Sequence, residues 1–157
     1  MAKGKVQSLK RGVASLECKV KVMFLLISTE QNIHFSVAIG TGKILKLKTV
    51  NKEYRQSELL LKTIDSLLAG EKLRAIFVVR GPGAFAALRT GIATANALAF
   101  AWKIPVGGIK LKPEWSLLDE KVKLKVLWSA GLIGLKKAKQ ASVEPYYDRA
   151  PNITVKK

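Results

Sequence analysis

Short apolar runs bounded by polar residues or glycine fill the first third of the chain and predict strands. Val22–Ile27 is apolar throughout, as in a strand buried on both faces. Residues 33–39 form a second run of β type, and residues 43–49 a third, in which leucines and lysines alternate. The two glycines of Gly40-Thr41-Gly42 are expected to supply the positive φ values of a tight hairpin. The pattern therefore predicts an antiparallel meander of three strands.

Two amphipathic stretches with helical spacing follow, each succeeded by a short apolar run. Apolar residues recur every three or four positions over 53–69, and Gly70 stands where a glycine helix cap is expected. The same spacing over 85–102 predicts a second helix, which is rich in alanine. Residues 75–79 and 105–109 are predicted strands that return after each helix.

The order of these elements predicts the fold class. Three strands followed by helix, strand, helix and strand combine an antiparallel meander with parallel crossovers in one mixed sheet. This is an α/β architecture of the ribonuclease H-like type, with helices flanking the sheet. Further along, residues 122–128 alternate like a strand, residues 131–141 are predicted as a short helix, and the tail from Pro145 is predicted to be extended.

Composition limits the class of protein. The chain has 157 residues, of which 48% are apolar, and this excludes general disorder. It has one cysteine, which excludes a disulfide scaffold and favours a reducing compartment. No apolar run approaches the length of a membrane span, and residues 1–20 are predicted to form a basic flexible arm rather than a signal peptide. We therefore expect a cytoplasmic protein.

Charge indicates a polyanionic partner without identifying it. With 28 Lys and Arg residues against 11 Asp and Glu residues, the net charge is +17. Such a field would attract RNA or an acidic protein, although lysines that only keep a small apolar domain soluble explain the charge equally well.

Few residues are candidates for catalysis. His34 is the only histidine and lies in a predicted strand, so neither a histidine metal pair nor a serine hydrolase site is indicated. Glu30 follows the first strand without a second carboxylate and is interpreted as a solvated turn residue, which argues against nuclease chemistry with two metal ions. The sequence therefore predicts no catalytic residue and no metal site.

Gly81-Pro82-Gly83 joins a strand to a helix and is the one candidate anion site. Backbone amides at a helix start can hold a phosphate, and Gly81 and Gly83 would let it approach closely. The spacing matches neither of the common nucleotide-binding glycine motifs, and a plain tight turn remains the competing interpretation.

The two predicted helices indicate a docking surface, because the second one is apolar or small around more of its circumference than one sheet contact requires. Helix propensity of the alanines is the alternative explanation. If the helices do pair with a partner, Ile92→Arg or Ala95→Arg should abolish binding of that partner. The candidate interface residues are Leu60, Ile64, Leu67, Phe85, Leu88, Arg89, Ile92, Ala95 and Ala99.

Several segments together resemble the TsaB (YeaZ-like) family. The segments are 25–29 (LLIST), 53–57 (EYRQS), 80–91 (RGPGAFAALRTG) and 145–154 (PYYDRAPNIT). The resemblance is good over residues 22–109, poor over 110–142, and returns in the tail. It implies an actin-like, sugar-kinase-like or Hsp70-like lobe.

The resemblance also implies a role. TsaB-like proteins are non-catalytic subunits that bind and order the catalytic TsaD-like subunit, which transfers threonylcarbamoyl to the adenosine next to the anticodon of tRNA. A TsaE-like ATPase joins the complex. ATP and metal are therefore expected on the partner subunits, and no cofactor is expected on this chain. Pairing with TsaD would use the two helices predicted above, and a homodimer is an alternative use of the same surface.

The chain departs from the family pattern in three places. Ser28 stands where the family usually has Asp, and Tyr54 where it usually has His. Residues 110–157 are too few for the family's full second lobe, so we expect a reduced second lobe and tail after a first lobe over 21–109. Two other functions stay open: a minimal ATP-binding or phosphotransfer lobe, and a basic RNA-binding module.

Overall fold

A computed structural model describes residues 22–135 and 142–148 of the protein. Five strands form one sheet in the order β3-β2-β1-β4-β5. The strands are β1 (Met23–Ser28), β2 (Phe35–Gly40), β3 (Ile44–Val50), β4 (Leu73–Gly81) and β5 (Val106–Lys110). Three α-helices, α1 (Gln56–Leu68), α2 (Phe85–Trp102) and α3 (Glu120–Leu135), and a short 3-10 helix, Pro113–Leu117, complete the described elements.

The pairing of the strands confirms the predicted fold class. β1 pairs with β2, and β2 with β3, in antiparallel register, whereas β1 with β4 and β4 with β5 are parallel. A three-stranded meander continued by two helical crossovers is the ribonuclease H-like arrangement predicted from the element order. The helix predicted over 85–102 is observed with the same bounds. The other elements up to residue 110 begin and end within three residues of their predicted bounds.

A hydrophobic core lies on each face of the sheet. Helices α1 and α2 cover one face, where Leu60, Ile64 and Ile92 pack against side chains of β1, β2 and β4. Helix α3 covers the other face through Leu124, Leu127 and Trp128. Strands buried on both faces explain why β1 reads as a continuous apolar run.

The prediction of a strand over 122–128 is wrong, because these residues belong to α3. Its side chains alternate between apolar and lysine, which mimics a strand, yet Leu124, Leu127 and Trp128 are buried at helical spacing. The predicted helix over 131–141 is the end of the same helix as far as Leu135, and its remainder lies outside the described residues. The predicted basic arm of residues 1–20 and the tail from residue 149 also lie outside the described residues.

The β2–β3 hairpin is confirmed, but the expected reason for its glycines is wrong. Neither Gly40 nor Gly42 has a positive φ. A Cβ on Gly40 would lie 2.1 Å from the carbonyl oxygen of Lys43, so this glycine is required by the close approach of the two strands. Nothing lies within 4 Å of the corresponding position on Gly42.

Candidate functional site

An apolar groove runs between α1 and α2 on the side that faces away from the sheet. Both helices bury one stripe against the sheet and leave large apolar side chains outside: Leu61 of α1 is 54% exposed and Trp102 of α2 is 45% exposed. The groove has a volume of about 530 Å³. We call it the helix groove; its apolar lining is Leu61, Ile64, Leu68, Leu98 and Trp102.

The charges of the helix groove are mixed, in contrast to the strongly basic chain. Glu58, Lys62 and Asp65 line it. Glu58 accepts two hydrogen bonds from the Arg55 guanidinium, at 2.6 and 3.0 Å, and these bonds together with the charge of Arg55 lower the pKa of the carboxyl group. The groove therefore offers an apolar floor bordered by charges of both signs.

Most of the predicted interface residues lie on the inner faces of the two helices. Six of the nine are buried within the chain itself: Leu60, Ile64, Leu88, Ile92, Ala95 and Ala99. Their apolar character is accounted for by the sheet. Ile92→Arg or Ala95→Arg would place a charge in the chain's own core and disrupt folding. The expectation that these substitutions test binding of a partner is therefore wrong.

The other three interface residues have different positions. Leu67 is half-buried on α1 and packs against the core. Phe85 and Arg89 are exposed at the start of α2, where the Arg89 guanidinium lies 5.4 Å from the centroid of the Phe85 ring. The outward residues Leu61 and Trp102, which line the groove, were missed. They stand outside the buried stripe, and position relative to that stripe is the signal that could have identified them.

The loop of Gly81 and Gly83 lies against the chain's own backbone. Gly81 has a φ of +122°, and a Cβ there would lie 2.2 Å from the carbonyl oxygen of Tyr146. A Cβ on Gly83 would lie 2.4 Å from the carbonyl oxygen of Glu30. The Ala84 amide, at the start of α2, donates to that same Glu30 oxygen at 2.8 Å. Close packing thus explains why glycine stands at both positions.

Glu30 is not the solvated turn residue that the sequence suggested. It is only 7% exposed, and its carboxylate accepts hydrogen bonds from the Lys123 ammonium of α3 and from the Ser28 hydroxyl, the latter at 2.5 Å. Burial acts to raise the pKa of Glu30, but the charge and hydrogen bond of Lys123 outweigh it, so the pKa is lowered. An internal ammonium therefore neutralises the carboxylate next to the glycine loop.

Residues 142–148 cross the side of α2 and hold its start. The side chain of Asn96 donates to the carbonyl of Val143 at 2.9 Å and accepts from its amide at 2.8 Å. The backbone amide of Tyr146 donates to the carbonyl oxygen of Arg80, and the Tyr147 ring stacks on Phe85 with centroids 4.6 Å apart. We call residues 142–148 the strap.

Two further properties concern the described residues as a set. Among residues 22–135 and 142–148, no three His, Cys, Asp or Glu side chains gather closely enough to hold a metal ion. In the same residues, no helix is both long and apolar enough to cross a bilayer.

Comparison with known proteins identifies relatives of this lobe. The model of the family described as TsaD, tRNA N6-adenosine threonylcarbamoyltransferase, matches residues 53–111, which contain α1, β4, α2 and β5. The structure of YeaZ from Pseudomonas aeruginosa is 30% identical, with a TM-score of 0.52, over 57% of this chain and 44% of that one. A second structure, of a protein with similarity to peptidase YEAZ from the same organism, gives the same identity and TM-score over 57% and 43%.

The predicted resemblance is thereby confirmed: the chain is YeaZ-like, that is TsaB-like, in sequence and in fold. The chain spans less than half the length of each of these two matched chains. Both helices of the helix groove lie within the residues that the TsaD family model matches.

Proposed function

We propose that this protein is a non-catalytic TsaB-like subunit that docks a TsaD-like protein on its helix groove and orders it for threonylcarbamoyl transfer to tRNA. The observation that carries this proposal is the exposed apolar groove between α1 and α2, in a chain similar to YeaZ. A TsaE-like ATPase completes the proposed assembly, and ATP and metal act on the partner subunits.

The chemistry of the groove supports a protein partner. Apolar side chains that are half exposed on adjacent helices gain free energy when another helix covers them, at roughly 25 cal/mol per Å² of apolar surface. Two helices that present their outer faces side by side provide the groove into which the ridges of a partner helix fit. Since the contact is mainly apolar, its affinity should depend only weakly on salt.

The neutralised Glu30 disfavours the competing function, a minimal phosphotransfer lobe. Magnesium phosphate chemistry requires a carboxylate that is free to bind the cation. Glu30 is the acidic side chain beside the glycine loop, and Lys123 and Ser28 already occupy its oxygens. We therefore expect nucleotide titration of the isolated chain to give no saturable binding.

Binding to the TsaD-like protein of the same organism tests the proposal. The unmodified chain should form a stoichiometric complex on sizing, and Leu61→Glu should weaken it about 10- to 100-fold, because docking would bury an unpaired carboxylate. Leu61 is exposed, so this variant should keep its fold.

Ile133→Glu is the matched control, since Ile133 is an exposed aliphatic residue of α3, 62% exposed, on the opposite face of the sheet. It should leave the affinity unchanged. Equal loss in both variants, or a complex that dissociates as salt rises, would contradict docking at the helix groove. Self-association of the chain alone that Leu61→Glu abolishes would instead assign the groove to a homodimer.

A further inference from the structure

A second groove, on the other side of α1, is lined by lysines. It lies between α1 and the edge strand β3 and has a volume of about 380 Å³. Lys48 comes from the strand, Lys52 from the loop after it, and Lys62 from the helix; Asn51 adds an exposed amide. None of the described residues that line it is acidic. We call it the lysine groove.

The strand extends this cluster into a row. Lys46 and Lys48 pair with Ile39 and Val37, whose side chains belong to the core under α1 and α2, so both lysines lie on that same face of the sheet. Both are exposed, because β3 is the outermost strand. Residues two apart on a strand are separated by about 6.6 Å, so Lys46 continues the line of charge along the edge beyond the groove.

These ammonium groups have no carboxylate partner within the part of the chain that the structure describes. None of Lys46, Lys48 and Lys52 forms a salt bridge there, and neither does Lys62. On α1, Lys62 lies four residues after Glu58 and three before Asp65, and Glu58 accepts two hydrogen bonds from the Arg55 guanidinium. The lysine groove is thus a concentration of positive charge in which no lysine is held in a salt bridge within the described residues. The pKa of the nearby Glu58 carboxyl is lowered mainly by Arg55, and the charges of Lys62 and Lys52 make smaller contributions.

Protection of the sheet edge accounts for only part of this pattern. Lysines on an edge strand prevent pairing with another chain, and that purpose is sufficient for Lys46 and Lys48. It does not explain Lys52 and Lys62, which lie off the strand and close the groove from the loop and the helix. Charges gathered from three separate elements around one concave surface indicate a ligand.

We propose that the lysine groove binds the phosphodiester backbone of a structured RNA. The linear arrangement of charges along an open groove fits a series of phosphates better than one enclosed anion. Lysines act there as point charges that neutralise phosphates and release counterions without reading sequence. The identification of the RNA as tRNA rests on the function proposed above. The groove and its charge are observed independently of that function.

Salt-dependent binding of tRNA to the isolated chain tests this. For the unmodified protein, the logarithm of the affinity should fall linearly with the logarithm of the salt concentration. Lys48→Gln/Lys52→Gln should reduce the magnitude of that slope by about two and weaken binding to every tRNA by a similar factor. Lys62 is left unchanged because it lines the helix groove as well.

Lys121→Gln/Lys125→Gln provides the matched control. Both residues are exposed on α3, over the opposite face of the sheet, and the change in net charge is the same. It should keep the slope of the unmodified protein. An equal loss of tRNA affinity in both double variants would show that the general positive field of the protein attracts RNA. No loss of affinity in either variant would show that the lysines of β3 only protect the sheet edge. Either result would overturn the proposed site.

The outcome is separable from that of the function proposed above, because no partner protein is present. Failure of RNA binding with intact docking of the TsaD-like protein would refute the lysine groove alone. An acidic protein that binds the groove in place of RNA would be recognised by competition: a polyglutamate chain would then displace the tRNA and bind at least as tightly.

Discussion

Glu30 and Lys123 form a buried ion pair at the carboxyl end of β1. The side chains are 7% and 6% exposed, and Ser28 donates a further hydrogen bond to the same carboxylate. Each charge is removed from water, so the pair remains favourable only while both members are present. It also fastens α3 to the strand that runs through the centre of the sheet.

Loss of one member should therefore cost far more than loss of both. We expect Lys123→Met to lower the free energy of unfolding by about 3–5 kcal/mol, because the carboxylate of Glu30 would be left buried without its counterion. The double variant Glu30→Gln/Lys123→Met should recover most of that loss. Urea denaturation of the three proteins at pH 7 measures it, and equal losses for the single and double variants would contradict the pairing.

The same pair predicts how stability depends on pH. The pKa of Glu30 is lower in the folded chain than in the unfolded chain, so the pair stabilises the fold above the unfolded value of about 4.3 and ceases to do so as the pH falls through the lower folded value. The unmodified protein should accordingly lose stability more steeply than Glu30→Gln/Lys123→Met from about pH 5 downward. Parallel stability curves for the two proteins would show that Glu30 does not contribute.

Single residues of this kind were the hardest to predict from the sequence. The partner of Glu30 lies 93 positions further along the chain, on an element that was interpreted as a strand. A carboxylate after a strand is usually solvated, and only the position of α3 reverses that expectation. Ser28, by contrast, was identified as unusual from the sequence, and its contact with Glu30 gives the position a structural role.

At the scale of elements, local pattern was sufficient for the five strands and for α1 and α2. The bounds of α2 follow from its apolar spacing and from Pro105 beyond it. Helix α3 was misinterpreted because lysines and apolar residues alternate over 121–126 and because Val122 is apolar yet exposed, which obscures the buried stripe. Gly131 allows the helix to approach Phe77, since a Cβ there would lie 2.6 Å from the ring; that contact is tertiary and invisible in the local sequence.

Besides the stacking of Tyr147 on Phe85, one side chain, Asn96, makes the hydrogen bonds between the strap and α2 in the described residues, and this gives a prediction for the element. Asn96→Ala removes both hydrogen bonds to Val143, whose backbone groups would lose their partners at a buried position. We expect the amide of Val143 to exchange its hydrogen at least tenfold faster, while amides of β1 keep their protection. Thr94→Ala, two residues away on the same helix, is the control, and unchanged exchange at Val143 in Asn96→Ala would refute this attachment.

At the scale of the whole molecule, α1 separates two surfaces of different character. The helix groove on one side is mainly apolar with charges of both signs, and the lysine groove on the other is basic. The sequence predicted that these helices take part in docking and that the charge of +17 attracts a polyanion. It could not place either surface, because Lys48, Lys52 and Lys62 come together only when α1 packs beside β3.

This separation predicts that a TsaD-like partner and tRNA bind at the same time. Leu61→Glu should weaken binding of the partner and keep the salt slope of tRNA binding. Lys48→Gln/Lys52→Gln should reduce that slope and keep the affinity for the partner. The effects of the combined variant should add, because the substituted residues lie on different sides of α1 and share no contact.

Sizing of the three-component mixture with labelled tRNA measures simultaneous binding. As salt rises, the tRNA should leave first and the protein complex should persist, since screening weakens phosphate contacts but not apolar ones. Displacement of tRNA by the partner at low salt would show instead that the two ligands compete for one surface.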